Sequence, residues 1–177
     1  YGIDYMQKFC STAEKEGLID AVNVTGGWHE APVPQISYQL PAGGFAYLAD
    51  AIKRAVNVPV IACNRINNID TMEAILKNGM ADFVGTARGF LADPEFSRKV
   101  LEGVPYNRCQ GCNKCIEAVL KGKSVVCAYN PEAGREVEEK THRRVISAKK
   151  VIVAGAGPAG LEAAKKSAER GYKTILC

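Results

Sequence analysis

Two kinds of apolar pattern alternate along the chain from residue 5 to residue 102. Short apolar runs predict buried strands, and segments whose apolar residues recur every three or four positions predict amphipathic helices. The predicted strands cover residues 21–24, 58–62 and 81–84, and the predicted helices cover residues 5–16, 45–56, 69–78 and 93–102. Because strands that alternate with helices run parallel, this order predicts an α/β sheet.

The polar segments that follow the predicted strands favour a closed barrel over an open sheet. These segments lie at residues 26–30, 64–67 and 85–89. In a (β/α)8 barrel the active site is built from such loops, and the last two commonly bind phosphate together with a short extra helix. We therefore interpret residues 1–105 as the C-terminal part of a TIM barrel, with residues 89–92 as the extra helix.

Three side chains in these loops are candidates for chemistry. Arg65 and Arg88 follow the last two predicted strands at equivalent places, which predicts that they bind an anion such as phosphate. The alternative is that both form ion pairs at the surface. His29, beside Trp28, is either an acid–base residue or a packed side chain with ordinary hydrogen bonds.

Composition narrows the class of protein. The chain has 177 residues, of which 47% are hydrophobic and 24% charged, as expected of a globular enzyme. The net charge of +4 is scattered, so we expect no nucleic-acid partner. No signal peptide or long apolar span is present, so we expect no membrane insertion. The chain opens on Tyr1 and stops at Cys177 inside a motif, which predicts a fragment of a longer protein.

Four of the seven cysteines form one pattern. Cys109, Cys112 and Cys115 follow each other at two-residue gaps, with Gly111 to permit a tight coil, and Cys127 follows after eleven residues. A triplet with a remote fourth thiol favours a [4Fe-4S] cluster. A structural zinc site and a disulfide framework are the alternatives. The remaining single cysteines indicate a reducing, cytoplasmic compartment.

A second domain is predicted after the cysteines. Residues 106–146 form the cysteine segment and a linker, with a charged run at 135–144, and residues 147–177 begin a Rossmann-like domain. A strand at 149–154 and a helix at 161–170 flank Gly155, Gly157 and Gly160. Glycines in this position let the backbone approach a pyrophosphate.

The assembled motifs resemble the iron–sulfur flavoenzyme branch of the old yellow enzyme family, to which 2,4-dienoyl-CoA reductase, enoate reductase and trimethylamine dehydrogenase belong. The resemblance covers nearly the whole chain. Its marks are Asn23–Glu30, Cys63–Asn67, Ala87-Arg88 with Leu91–Pro94, the cysteine set with Asn130-Pro131, and Val153–Gly160.

The resemblance implies three bound cofactors and an NAD(P)H donor. An FMN in the barrel has its phosphate held by Arg65, Ala87 and Arg88. One [4Fe-4S] cluster is ligated by the four cysteines, and an FAD lies on Gly155, Gly157 and Gly160. His29 would assist protonation of the reduced substrate, together with a tyrosine outside this sequence.

The implied activity is reduction of an activated C=C bond in an enoate, a 2,4-dienoyl-CoA thioester or a similar small enone. Trp28-His29-Glu30 favours this reaction, whereas the cysteine gaps match the trimethylamine dehydrogenase type. An amine dehydrogenase is therefore one alternative. A zinc-stapled α/β binding protein without redox activity is another.

Overall fold

The structure is a computed structural model that describes residues 2–28, 30–137 and 149–177. The chain divides into two compact units, residues 1–133 and residues 134–177. The cysteine segment lies in the first unit. No helix in the described ranges is long and apolar enough to cross a membrane.

The first unit is an α/β structure with a parallel sheet, as the sequence predicts. Its strands are ordered β1-β2-β3, with Val24 of β1 beside Ala62 of β2, and Ala62 beside Val84 of β3. The elements in chain order are α1 (Ile3–Lys15), β1 (Val22–Val24), α2 (Ala46–Lys53), β2 (Val60–Ala62), α3 (Ile69–Lys77), β3 (Phe83–Val84), α4 (Arg88–Ala92), α5 (Phe96–Glu102) and α6 (Lys114–Leu120).

The core lies between the sheet and the inner faces of α2 and α3. Val60 and Ala62 of β2 are fully buried, and Ala49, Met72 and Ile75 from the two helices are each at most 5% exposed. β2 therefore contributes the central layer of the core, which fixes the direction in which its last residue enters the following loop.

Strand β2 is shorter than its apolar run predicts because carboxylates replace backbone partners where it begins. Asp82 accepts a hydrogen bond from the Val60 amide at 2.9 Å and pairs with Lys53, and these donors lower the pKa of Asp82. Glu14 accepts from the amide of Val58 at 2.8 Å. Strand geometry begins only after these side-chain contacts.

The predicted helix at 93–102 is interrupted at its start by a buried carboxylate. Asp93 is extended, and it accepts hydrogen bonds from Lys99 at 2.7 Å and from the Asn107 amide at 2.9 Å. Burial raises the pKa of Asp93, but these donors and the Glu95 amide outweigh burial, so the pKa is lowered overall. Asp93 thereby anchors the chain that leads into the cysteine segment.

The second unit, taken by itself, is a strand, a helix and a parallel strand. These elements are β4 (Lys150–Val153), α7 (Pro158–Glu169) and β5 (Lys173–Leu176). Gly155 has a φ of 105°, which other residues adopt at a cost. A Cβ on Gly160 would overlap the carbonyl oxygen of Gly155, so only glycine allows α7 to approach the turn this closely.

Replacing Gly160 with alanine should destabilise the second unit by roughly 1–3 kcal/mol, the range for overpacking a close contact. Gly157→Ala is the matched control, because no heavy atom lies within 4 Å of its ideal Cβ position. Amide hydrogen exchange of residues 150–176 in the complete protein would report this local opening. Equal protection in the two variants would contradict the close approach of α7.

Candidate active site

A cleft of about 650 Å³ opens at the carboxyl ends of β2 and β3. The residues after these strands form one wall, and the cysteine segment with α6 forms the other. The lining includes Cys63, Asn64, Arg65, Gly85, Thr86, Ala87 and Arg88 from the strand ends, and Cys115, Ile116, Val119, Leu120 and Val125 from the opposite wall. The cleft is therefore cationic on one side and largely apolar on the other.

The two strand ends lie in close contact at Cys63 and Gly85. A Cβ on Gly85 would lie 2.7 Å from the Cys63 sulfur, so a larger residue would push the strand ends apart. The Cys63 thiol donates a hydrogen bond to the Asn23 side chain at 2.9 Å, and burial raises the pKa of Cys63. This packing fixes the spacing between the loops that carry the two arginines.

The backbone at Asn64 and Arg65 is left-handed, with φ values of 76° and 50°. A left-handed non-glycine residue costs on the order of 1–3 kcal/mol, so surrounding contacts must hold it. One such contact is the Asn64 side-chain amide, which donates to the Gly26 carbonyl at 3.1 Å. This contact also places the start of the loop that carries His29 beside the cleft.

The guanidinium group of Arg65 lies against the backbone of Gly111. Its Nη1 atom is 2.8 Å from the ideal Cβ position of Gly111, so any other residue there would displace the arginine. Nε and Nη1 of Arg65 are buried and have no hydrogen-bond partner within the described part of the chain. Burial and the nearby Arg88 lower the pKa of Arg65, whereas Cys109 and Tyr38 raise it. Arg65 is thus a cation with two nitrogen donors, Nε and Nη1, that lack an acceptor among the described residues.

Arg88 begins α4 and is hydrogen-bonded to the cysteine segment. Its Nη1 donates to the Asn113 side-chain oxygen at 2.7 Å. The Asn113 amide in turn donates to the Ile36 carbonyl. Asn113 has a left-handed φ of 62°, a conformation that asparagine tolerates better than most residues. Arg88 therefore reaches the cleft while its position is set by the opposite wall.

Two further asparagine amides attach the cysteine segment to the strand ends. Asn67 donates to the Cys109 carbonyl at 2.7 Å, and Asn130 donates to the Leu91 carbonyl at 2.9 Å. Both residues lie in sequence motifs, but the motifs predict no role for them. The polar amide at the edge of each motif is the signal that could have singled them out, although nothing in the sequence identifies the partner of either amide.

The four predicted ligand cysteines line one small cavity. Cys109, Cys112, Cys115 and Cys127 all border it, and Arg88 borders both this cavity and the larger cleft. Backbone amides two residues downstream approach the sulfurs of Cys109 and Cys127, each at 3.4 Å. All seven cysteines are free thiols, so the structure gives no support to a disulfide framework.

The thiols surround this cavity without converging on a single point. Among the described residues, no three His, Cys, Asp or Glu side chains are close enough together to hold one metal ion. A structural zinc ion needs four ligands within about 2.0–2.3 Å, whereas a cubane gives each cysteine its own iron. Four cysteine thiols around one cavity are a donor set that fits a [4Fe-4S] cluster.

Helix α6 was not predicted from the sequence. Its apolar residues Ile116, Val119 and Leu120 face the cleft, while Glu117 forms ion pairs with Lys121 at 2.6 Å and Lys114 at 2.9 Å. These two lysines lower the pKa of Glu117 to about 2. These three apolar residues have the spacing of an amphipathic helix, which is the sequence signal that could have predicted α6.

The structure brings some of the predicted site residues together and leaves others apart. Arg65, Ala87 and Arg88 share one cleft, and the four cysteines lie beside it. Gly155, Gly157 and Gly160 belong to the second unit. His29 and His142 lie outside the described residues.

Comparison with known proteins places this arrangement among flavin enzymes. The family model for the NADH:flavin oxidoreductase / NADH oxidase family matches residues 6–107. A metal reductase from Desulforamulus reducens is 50% identical over 173 residues, which are 96% of this chain and 26% of that protein.

Two solved structures are similar over nearly the whole chain. A 2-naphthoyl-CoA reductase in complex with 2-naphthoyl-CoA has a TM-score of 0.84 and 32% identity, covering 96% of this chain and 26% of that one. The histamine dehydrogenase from Rhizobium sp. 4-9 has a TM-score of 0.77 and 29% identity, covering 97% of this chain and 25% of that one. The chain thus spans about a quarter of the length of its relatives.

Proposed function

Because the chain belongs to the NADH:flavin oxidoreductase / NADH oxidase family, we propose that the complete protein uses NAD(P)H to reduce an activated carbon–carbon double bond. The observation that carries the proposal is the cleft in which two arginines at adjacent strand ends face the cysteine segment. When bound, FMN supplies hydride transfer to the double bond, and FAD with a [4Fe-4S] cluster supplies the electron relay from NAD(P)H.

The cleft fits FMN in size and in chemistry. Its volume of about 650 Å³ lies within the usual range for cofactor sites, about 300–1,000 Å³. Arg88 supplies a guanidinium group that can pair two phosphate oxygens at once, and Arg65 and Ala87 line the same wall. The apolar side chains of α6 would cover a flat ring system.

The small cavity between Cys109, Cys112, Cys115 and Cys127 would hold the cluster. Amides that approach the sulfurs of Cys109 and Cys127 suit this role, because hydrogen bonds to cysteine sulfur tune cluster potentials. Residues 106–146 would then be the cluster segment and linker that follows a barrel ending near residue 105.

The turn at Gly155, Gly157 and Gly160 would bind FAD. Pro158 opens α7, so the helix N-terminus lies directly after the glycines, which is the arrangement that favours a pyrophosphate. Residues 147–177 would begin the FAD domain.

His29 would assist proton delivery to the reduced substrate. The Gly26 carbonyl, three residues earlier in the same loop, is bonded to a cleft residue. Trp28-His29-Glu30 supports a thioester or enone substrate, as does the similarity to a protein described as 2-naphthoyl-CoA reductase.

A second candidate function is oxidation of an amine, with electrons leaving the FMN. The two-residue cysteine gaps and the similarity to a histamine dehydrogenase favour it. A zinc-stapled protein without redox chemistry has less support, because the chain belongs to a family of flavin oxidoreductases.

The first prediction concerns metal content. The complete protein, purified anaerobically, should hold about four irons per chain at this site, and Cys112→Ser should lose them. Cys177→Ser is the matched control, since this exposed thiol lies in the second unit. Iron and acid-labile sulfide analysis would measure both variants. Stoichiometric zinc without iron would contradict the assignment.

The second prediction concerns FMN affinity. Arg88→Ala should weaken FMN binding by roughly 1.5–3 kcal/mol, the range for a hydrogen bond to a charged group. Arg98→Ala controls for loss of a charge, because Arg98 is half-exposed and pairs with Glu95 and Glu102. Flavin fluorescence titration of the complete apoprotein would measure the dissociation constant. Full FMN occupancy of Arg88→Ala after extensive dialysis would exclude this role.

The third prediction concerns His29. Hydride transfer leaves charge on the substrate carbonyl and requires a proton at carbon, so His29→Ala should slow the oxidative half-reaction by about 10²–10⁴-fold. Flavin reduction by NAD(P)H should be nearly unchanged, because those electrons enter through the other domain. Stopped-flow measurement separates the two half-reactions, with His142→Ala as the histidine control. Equal slowing of both would make His29 a packing residue.

A further inference from the structure

Arg65 faces the cysteine segment as well as the cleft. Its left-handed backbone and the bond between Asn64 and Gly26 direct the side chain, and its Nη1 atom is the nitrogen nearest to the Cβ position of Gly111. Gly111 lies between Cys109 and Cys112. The guanidinium group is therefore packed against the loop that carries two of the proposed ligands.

The polar atoms of Arg65 indicate what it contacts there. Nε and Nη1 are buried without a hydrogen-bond partner in the described part of the chain, and a buried donor left in this state costs roughly 1–3 kcal/mol. An anion beside these donors would remove that cost. Nη1 is the atom closest to Gly111, so this donor lies on the side of Arg65 that contacts the cysteine segment.

The neighbouring cations differ from Arg65 because their charges are already paired or bonded. Lys114 lies beside Cys115 in the chain, but its ammonium group forms an ion pair with Glu117 at 2.9 Å. Arg88 donates to Asn113 and faces the position proposed for the phosphate. Among the described residues, no carboxylate is one of the groups that shift the pKa of Arg65.

We propose that Arg65 tunes the [4Fe-4S] cluster, holding its reduction potential higher than the four thiolates alone would set it. The inference rests on the proposed cluster. Four thiolates and the cubane carry net negative charge, and one added electron makes that charge more negative. A fixed cation against Gly111 stabilises the reduced state more than the oxidised state, and net charge and hydrogen bonds are established determinants of cluster potential.

The proposal divides the work of the two arginines. Repulsion between Arg65 and Arg88 is reduced when each guanidinium group has an anion nearby. Arg88, which borders both cavities, would serve the flavin phosphate, and Arg65, which contacts the cysteine segment at Gly111, would act on the cluster. The cluster would therefore accept a single electron more readily with this cation beside it than without it.

The test is a potentiometric titration of the complete protein with dithionite, monitored by electron paramagnetic resonance. Iron, sulfide and FMN contents are measured first in every sample. At a fixed potential near the wild-type midpoint, Arg65→Gln should lower the ratio of reduced to oxidised cluster by on the order of tenfold, as expected for loss of one nearby charge. Arg65→Lys, which keeps the charge, should remain within a few-fold of wild type.

Arg54→Gln is the matched control for charge, because Arg54 is 75% exposed and pairs with Asp50 on α2. It should leave the midpoint unchanged. An intact cluster with an unchanged midpoint in Arg65→Gln overturns the proposal, and loss of FMN alone in that variant would assign Arg65 to the phosphate. Wild-type protein without iron would instead refute the cluster itself.

If Arg65→Gln does not retain four irons, the titration is carried out on Arg65→Met, which keeps most of the side-chain volume. A lowered ratio in Arg65→Met supports the proposal. Loss of iron in both variants but not in Arg65→Lys would make Arg65 a structural support for the loop and overturn the tuning role.

Discussion

The attachment of the cysteine segment to the loops and the helix that follow the three parallel strands is the constraint on which the site depends. Three asparagine amides make it, since Asn67 bonds to Cys109, Asn113 to Ile36 and Asn130 to Leu91. Each amide pairs with a backbone carbonyl, an acceptor that is present whatever the side chain there. The contacts therefore fix the segment's position without limiting which residues line the cleft.

The opposite ends of the strands show a different use of polar side chains. Glu14 and Asp82 accept hydrogen bonds from backbone amides where β2 begins. These carboxylates replace missing backbone partners and stabilise the frame. The arginines and thiols lie towards the carboxyl ends of the strands. Residues that stabilise the sheet and residues with reactive side chains are therefore found at opposite ends of the strands, as is common in parallel α/β enzymes.

The two cavities share a wall, and both arginines lie at or near it. Arg88 borders the cleft and the cysteine cavity, and Arg65 lies between the cleft and Gly111. A change in either side chain alters the charge felt in both places. The binding of an anionic flavin and the charge of a cluster would therefore be energetically linked through these two residues.

The amino-acid sequence by itself determined the parallel α/β class, the positions of most helices and the identity of the arginines and cysteines. These follow from local signals: apolar periodicity, glycines that end helices, and fixed spacings of reactive residues. Gly79, with a φ of 65° after α3, shows how one residue type sets a boundary. The FMN, cluster and FAD assignments rest on motif and family, and stay proposals for this chain.

Only the tertiary structure decided where each side chain points and what it contacts. The packing of Arg65 on Gly111 joins residues 46 positions apart, and the Asn113 bond to Ile36 spans 77 positions. No periodicity or spacing encodes such pairs, because they depend on how strands, loops and helices stack in three dimensions. The strand lengths were misjudged for the same reason, since Asp82 and Glu14 find their amide partners only once the sheet has assembled.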